Sequence, residues 1–63
     1  MKVKVNGQTV DYDGAVALMD DDLRQTIADK LALRLDDDEE RQVFVDEYAS
    51  AHERVYGAPF IVN

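Results

Sequence analysis

Apolar and polar residues alternate at the start of this chain. Met1, Val3 and Val5 take the odd positions, and Lys2 and Lys4 take the even ones. A period of two is the pattern of a strand with one buried face. Asn6-Gly7 follows, a pair that tolerates positive φ at both centres of a two-residue turn. The returning residues then pair Val5 with Gln8, Val3 with Val10 and Met1 with Tyr12 on one face. Lys4 meets Thr9 and Lys2 meets Asp11 on the other. Turn and alternation select the same register, and Lys2 with Asp11 is a favourable cross-strand pair. The pattern predicts a β-hairpin over residues 1–12.

Beyond the hairpin the period lengthens. Asp13-Gly14 reads as a break, and Ala15-Val16-Ala17-Leu18-Met19 as a short helical turn. Leu23, Ile27 and Leu31 recur at helical spacing and predict a helix over residues 21–34. Asp22 and Gln25 have capping-box spacing at its start. A second helix is predicted from about residue 37 to Tyr56. Asp36 with Glu39, or Asp37 with Glu40, offers its capping box. Gly57 follows as its stop, and Pro59 prevents continuation. Phe60-Ile61-Val62 reads as a short last strand.

At about 100° per residue, the second helix divides into three sectors. Phe44, Tyr48, Ala51 and Val55 form the main apolar stripe. Glu39, Gln42, Asp46, Ser50 and Glu53 form a narrow polar sector. Val45, Ala49, His52 and Tyr56 form a second apolar stripe beside the first. So small a body has little with which to cover both stripes, so the second is a candidate contact surface, including for a homodimer. The alternative is that hairpin and first helix cover one stripe each.

These elements make an α+β fold: a small sheet of the hairpin and a C-terminal strand, order 2-1-3, with two main helices packed on one face. At 63 residues the chain is expected to be a single small acidic domain, residues 1–63. An apolar content of 46% supports one modest core.

Charge changes the picture more than size does. Net charge is −7, and eight of the 14 acidic residues fall in two runs. The first run is Asp20, Asp21 and Asp22; the second is Asp36, Asp37, Asp38, Glu39 and Glu40. The seven Lys and Arg residues are scattered. Nucleic-acid binding needs clustered cations, so no direct binding to DNA or RNA is expected, nor to anionic membranes. A partner with a basic surface is favoured instead. No stretch approaches the roughly 20 apolar residues of a membrane span. The N-terminal residues lack the apolar core of a secretory signal, so a cytoplasmic location is expected.

Catalytic chemistry finds little to work with. There is no Cys, and Ser50 and His52 are the sole Ser and His. Two positions apart on a helix, they point in different directions. Neither acidic run has the Gly or the alternating ligands of an EF-hand loop. The Gly residues are isolated, so there is no phosphate loop. No catalytic residue, metal site or cofactor is expected, and the chain reads as a non-enzyme.

Both acidic runs precede helices, where carboxylates cap backbone N–H groups and oppose the helix dipole. Asp20 with Arg24, and Asp37 with Arg41, have the favourable acid-before-base spacing. One or two carboxylates per helix suffice for these tasks. Five in a row exceed the need, and their mutual repulsion is a cost. Glu39, Asp46 and Glu53 also repeat every seven residues, which places them on one line about 10 Å apart. Such a ridge has the charge to enter a basic nucleic-acid channel.

Two stretches carry a resemblance. One is Tyr12-Asp13-Gly14-Ala15-Val16-Ala17-Leu18-Met19-Asp20-Asp21-Asp22-Leu23-Arg24. The other is Phe44-Val45-Asp46-Glu47-Tyr48-Ala49 with His52, Tyr56-Gly57 and Phe60-Ile61-Val62-Asn63. Together they resemble small acidic proteins of phages and prophages. The resemblance implies a phage accessory protein acting inside a bacterial host. By analogy of class, such proteins resemble anti-CRISPR proteins and other inhibitors of host nucleic-acid enzymes. The expected partner is then the basic surface of a CRISPR effector or another nucleic-acid-binding protein. The expected contact residues are Asp36, Asp37, Asp38, Glu39, Glu40, Asp46 and Glu53, flanked by Asp20, Asp21 and Asp22. The alternative is an interaction or homodimerisation module using Val45, Ala49, His52 and Tyr56.

Overall fold

A computed structural model describes residues 1–5, 7–32 and 36–60. Two strands and three helices follow in order: β1 (Lys2–Val5), β2 (Gln8–Asp11), α1 (Tyr12–Ala17), α2 (Asp21–Leu31) and α3 (Asp38–Tyr56). The architecture is α+β, with a two-stranded antiparallel sheet and helices packed against it.

The hairpin has the predicted register: Lys2 pairs with Asp11, Val3 with Val10, Lys4 with Thr9 and Val5 with Gln8. Tyr12 extends the ladder by donating its N–H to the Met1 carbonyl at 3.0 Å. Gly7 sits at φ 80°, the left-handed backbone that a tight hairpin turn demands. Val3 and Val5 point into the core, and Lys2 and Lys4 face solvent.

The strand ends at Asp11, just before the expected break at Asp13-Gly14, but the chain passes straight into a helix there. The helix starts at Tyr12 and runs through Asp13 and Gly14. The driving pattern is Tyr12, Ala15, Val16 and Met19, a helical stripe that packs Ala15 and Met19 into the core. The helix α2 ends at Leu31, short of the predicted residue 34. Ala32 follows it in the left-handed region at φ 50° and closes the last turn with its N–H on the Ala28 carbonyl. Gly57 ends α3 in the same way at φ 72°, as its position predicted.

The core gathers Val3 and Val5 from β1, Ala15 and Met19 from α1 and its exit, and Ile27 from α2. Phe44, Val45, Tyr48 and Ala51 join from α3, and Phe60 from the chain beyond it. Phe60 packs its ring edge-on to Tyr48, with centroids 4.8 Å apart. Of the expected C-terminal strand only Phe60 is described; residues 61–63, and with them the third place in the 2-1-3 order, lie outside the described residues. Val55, assigned by periodicity to the core stripe, is exposed. Its angle on the helix is right, but the body of the protein ends before its turn.

Candidate acidic interaction surface

The second acidic run is built around one cap. The Asp37 carboxylate accepts the Glu40 backbone N–H at 2.8 Å, which makes Asp37 the N-cap of α3. Asp38, Glu39 and Glu40 fill the first turn, where the helix dipole favours negative charge. Asp38 takes the Arg41 guanidinium at 3.5 Å, a turn-length pair one residue shorter than the expected Asp37 with Arg41 spacing. Asp36, Asp37 and Glu40 bring carboxylate oxygens within 4.8 Å of one another. The run thus concentrates charge while keeping most of it at the surface.

From this run α3 carries the ridge. Glu39, Gln42, Asp46, Ser50 and Glu53 are all exposed, as the helix wheel predicted. The Gln42 amide donates to the Asp46 carboxylate at 2.9 Å, which orients that acid without neutralising it. No Lys or Arg lies in this sector. Among the described residues, the ion pairs go to Asp11, Asp21 and Asp38 and leave Glu39, Asp46 and Glu53 facing solvent.

The first run caps α2, with Asp20 rather than Asp22 as the N-cap. The Asp20 carboxylate accepts the Leu23 N–H at 3.0 Å. Arg24 reaches Asp21 at 3.4 Å rather than the expected Asp20. Asp22 contributes its carbonyl to the Thr26 hydroxyl at 2.9 Å. The choice of cap follows from a tertiary contact. The Asp20 backbone N–H donates to the buried Tyr48 hydroxyl at 2.8 Å.

That contact also locates the two runs relative to each other. Tyr48 lies ten residues past Asp38, about 15 Å along the helix axis at 1.5 Å per residue. The start of α2 therefore sits beside the middle of α3. The two runs are thus about 15 Å apart along α3, and the Glu39, Asp46, Glu53 line lies roughly 140–180° around the helix from Tyr48, on the face away from the first run.

Electrostatics at the α2 end agree. Partial desolvation raises the Tyr56 hydroxyl above its ordinary pKa, and Asp20 and then Asp22 add to the rise. Desolvation also raises Tyr48, partly offset by the Asp20 backbone bond. At the hairpin, Lys2 bonds the Asp11 carboxylate and lowers its pKa, first through the hydrogen bond.

The alternative apolar stripe is divided by the fold. Val45 is fully buried, so it belongs to the core and offers a partner nothing. Ala49 and His52 are half-buried, and only Tyr56 is exposed. The His52 ring lies between Tyr56 and Phe60, with centroids at 4.8 Å and 5.6 Å. Its Nδ1 is 2.7 Å from the Ala58 carbonyl, so that nitrogen carries a proton and holds the exit from α3.

One feature was hidden from sequence. Met1, Asp11, Tyr12, Asp13, Gly14 and Arg41 line an open groove of about 350 Å³. Its Arg41 guanidinium lies 5.2 Å from the Tyr12 ring centroid, a cation–π contact between α3 and α1. Tyr12 takes this place as the first residue of α1, which begins before the expected helical turn at Ala15.

Among the described residues, no helix is long and apolar enough to cross a membrane. A family model described as anti-CRISPR protein AcrIC5 matches residues 3–60, which is all of the chain but its two ends. No curated protein and no solved structure matches the chain.

Proposed function

The chain belongs to the AcrIC5 family of anti-CRISPR proteins, and we propose that it inhibits a CRISPR effector by occupying a basic nucleic-acid-binding surface with its own carboxylates. The observation that carries this reading is the exposed line of Glu39, Asp46 and Glu53, continuous with residues 36–40 and free of interspersed cations. Carboxylates in the line are about 10 Å apart. That is roughly the axial rise of three nucleotides on one DNA strand, at about 3.4 Å each. The ridge therefore matches nucleic acid in sign and reach, at about a third of its charge density. The denser run at the α3 N-terminus makes up part of the deficit.

The action is stoichiometric rather than enzymatic, inside the bacterial cell where the effector works. Arg and Lys side chains that hold phosphates would take carboxylates by the same charge-assisted bonds. Salt weakens such exposed pairs, because the screening length falls from about 10 Å at 0.1 M to about 3 Å at 1 M. The homodimer reading is weaker on two physical grounds: Val45 is in the core, and two chains of net charge −7 repel.

The test is binding of the protein to purified CRISPR effector complexes over a salt series, with and without Glu39→Lys and Asp46→Lys. Each reversal replaces an attraction by a repulsion and is expected to weaken binding roughly tenfold. Target DNA should compete with the wild-type protein. Salt-independent binding that tolerates both reversals would reject the mechanism.

A further inference from the structure

Two kinds of side chain donate to aspartates in this fold. Lys2, Arg24 and Arg41 hold Asp11, Asp21 and Asp38, and each brings a positive charge to the acid it holds. Gln25 and Gln42 hold Asp29 and Asp46, at 3.0 Å and 2.9 Å. A glutamine amide is neutral, so it fixes its carboxylate and leaves the charge whole. Asp46 is the middle member of the Glu39, Asp46, Glu53 line. Among the described residues, no side-chain donor holds Glu39 or Glu53. The ridge therefore has one held acid, and it stands at the centre.

The geometry suits presentation to a partner. Gln42 and Asp46 lie one helical turn apart, and both are exposed. The amide takes Oδ1, and Oδ2 accepts from no described residue. Aspartate has two side-chain torsions, one fewer than glutamate. Held at one oxygen, it has little rotamer freedom left to lose when a cation closes on the other. Ordering of side chains is a main cost of forming an interface, so an acid ordered beforehand binds more tightly. A cation in place of the amide would hold Asp46 equally well and cancel it.

We propose that Gln42 is a positioning residue of the anionic surface: its amide presents Asp46 Oδ2, ordered and uncompensated, to one basic side chain of the target. The inference rests on the inhibitor reading and deepens it. Asp46 becomes the anchor of the ridge, and Glu39 and Glu53 steer the encounter.

The test reads Asp46 geometry and effector affinity on the same variants. Three-bond NMR couplings across χ1 of Asp46 should report one rotamer in the wild-type protein and an average in Gln42→Ala. Gln42→Ala should weaken binding to purified CRISPR effector complexes about fivefold, the scale of ordering one side chain. It should move Tm by no more than about 4 °C, since an exposed Gln–Asp pair stabilises a helix only slightly. The loss should vanish in an Asp46→Ala background. Gln25→Ala removes the matching bond on α2, away from the ridge, and should leave affinity unchanged.

Two more substitutions separate orientation from charge. Gln42→Lys keeps a donor beside Asp46 but cancels its charge, so the single rotamer should persist while affinity falls. Gln42→Glu adds an acid to the ridge and removes the donor. It should weaken binding, whereas a ridge acting through charge alone would bind more tightly. Tighter binding by Gln42→Glu, or equal losses in Gln42→Ala and Gln25→Ala, would overturn the proposal. If Asp46→Ala weakens binding and Gln42→Ala does not, this inference fails alone. Binding that tolerates Asp46→Ala overturns the ridge and this inference with it.

Discussion

The buried hydroxyl of Tyr48 accepts the backbone N–H of Asp20 at 2.8 Å, joining the middle of α3 to the residue that caps α2. The bond satisfies a polar group of each partner and fixes which of three consecutive aspartates begins the helix. Tyr48→Phe keeps the ring against Phe60 and removes only this acceptor. It should cost about 1 kcal/mol, more if water cannot reach the orphaned N–H. For a chain of this size that is a fall of about 4–8 °C in Tm, read by thermal denaturation.

Alkaline pH should unfold the protein through the same region. Tyr12, Tyr48 and Tyr56 all have pKa values raised in the fold, chiefly by desolvation. The unfolded chain therefore loses these protons first. Stability is full below the ordinary tyrosine pKa near 10 and falls as pH rises through the raised values. Thermal melts across this range should show Tm constant to about pH 9 and declining above it. Tyr48→Phe should shallow that decline. A flat profile beyond pH 10 would contradict the assignment.

The two ends of the α3 stripe should respond oppositely to truncation. Phe44 is buried among residues of every element, and Phe44→Ala should cost about 3–5 kcal/mol. Small proteins have roughly 0.05–0.15 kcal/mol of stability per residue, about 3–9 kcal/mol for this chain, so this variant should lose a third of its stability or more. Val55→Ala, at an exposed position, should change stability by less than about 0.5 kcal/mol. Urea denaturation of the pair measures both.

Val55 also shows where sequence ceases to be legible. Helical periodicity gives the angle of a side chain around its axis, but not how far along that axis other elements reach. The hairpin was legible because the Asn6-Gly7 turn and the Val/Lys alternation constrain the same register independently. The start of α1 was obscured by Asp13-Gly14, although Tyr12, Ala15, Val16 and Met19 already held a helical stripe. At the cap of α2, spacing alone could not choose among Asp20, Asp21 and Asp22. The choice depends on Tyr48, 28 residues away. The ridge, in contrast, was readable in full, since exposure of Glu39, Asp46 and Glu53 follows from the wheel of one long helix.

Backbone conformation at the two helix ends gives a matched pair of expectations. Ala32 holds φ 50° and Gly57 holds φ 72°. The left-handed region costs a residue with a Cβ about 1–2 kcal/mol, and glycine almost nothing. Gly57→Ala should therefore destabilise by about 1 kcal/mol. Ala32→Gly should stabilise by up to about that amount, reduced by the added freedom of glycine in the unfolded chain. Opposite shifts in urea midpoint would bear this out; shifts of the same sign would not.

The acidic runs can be separated experimentally into caps and charges. Asn caps a helix as well as Asp does, whereas Ala does not cap at all. Asp37→Ala should cost about 1 kcal/mol, and Asp37→Asn should spare most of that stability while removing the charge. The contrast should recur at Asp20, whose side chain accepts the Leu23 N–H. On the ridge, Asp46→Asn and Glu53→Gln should leave stability within about 0.5 kcal/mol, since both side chains are exposed. If the charge serves a basic partner, the Asn and Gln variants should lose affinity for the effector while melting like the wild type. If the runs are only helix starts, binding should follow stability, and the Ala variants at the two caps, Asp37 and Asp20, should be the ones that weaken it. Paired melting and effector-binding measurements on these substitutions separate the two outcomes.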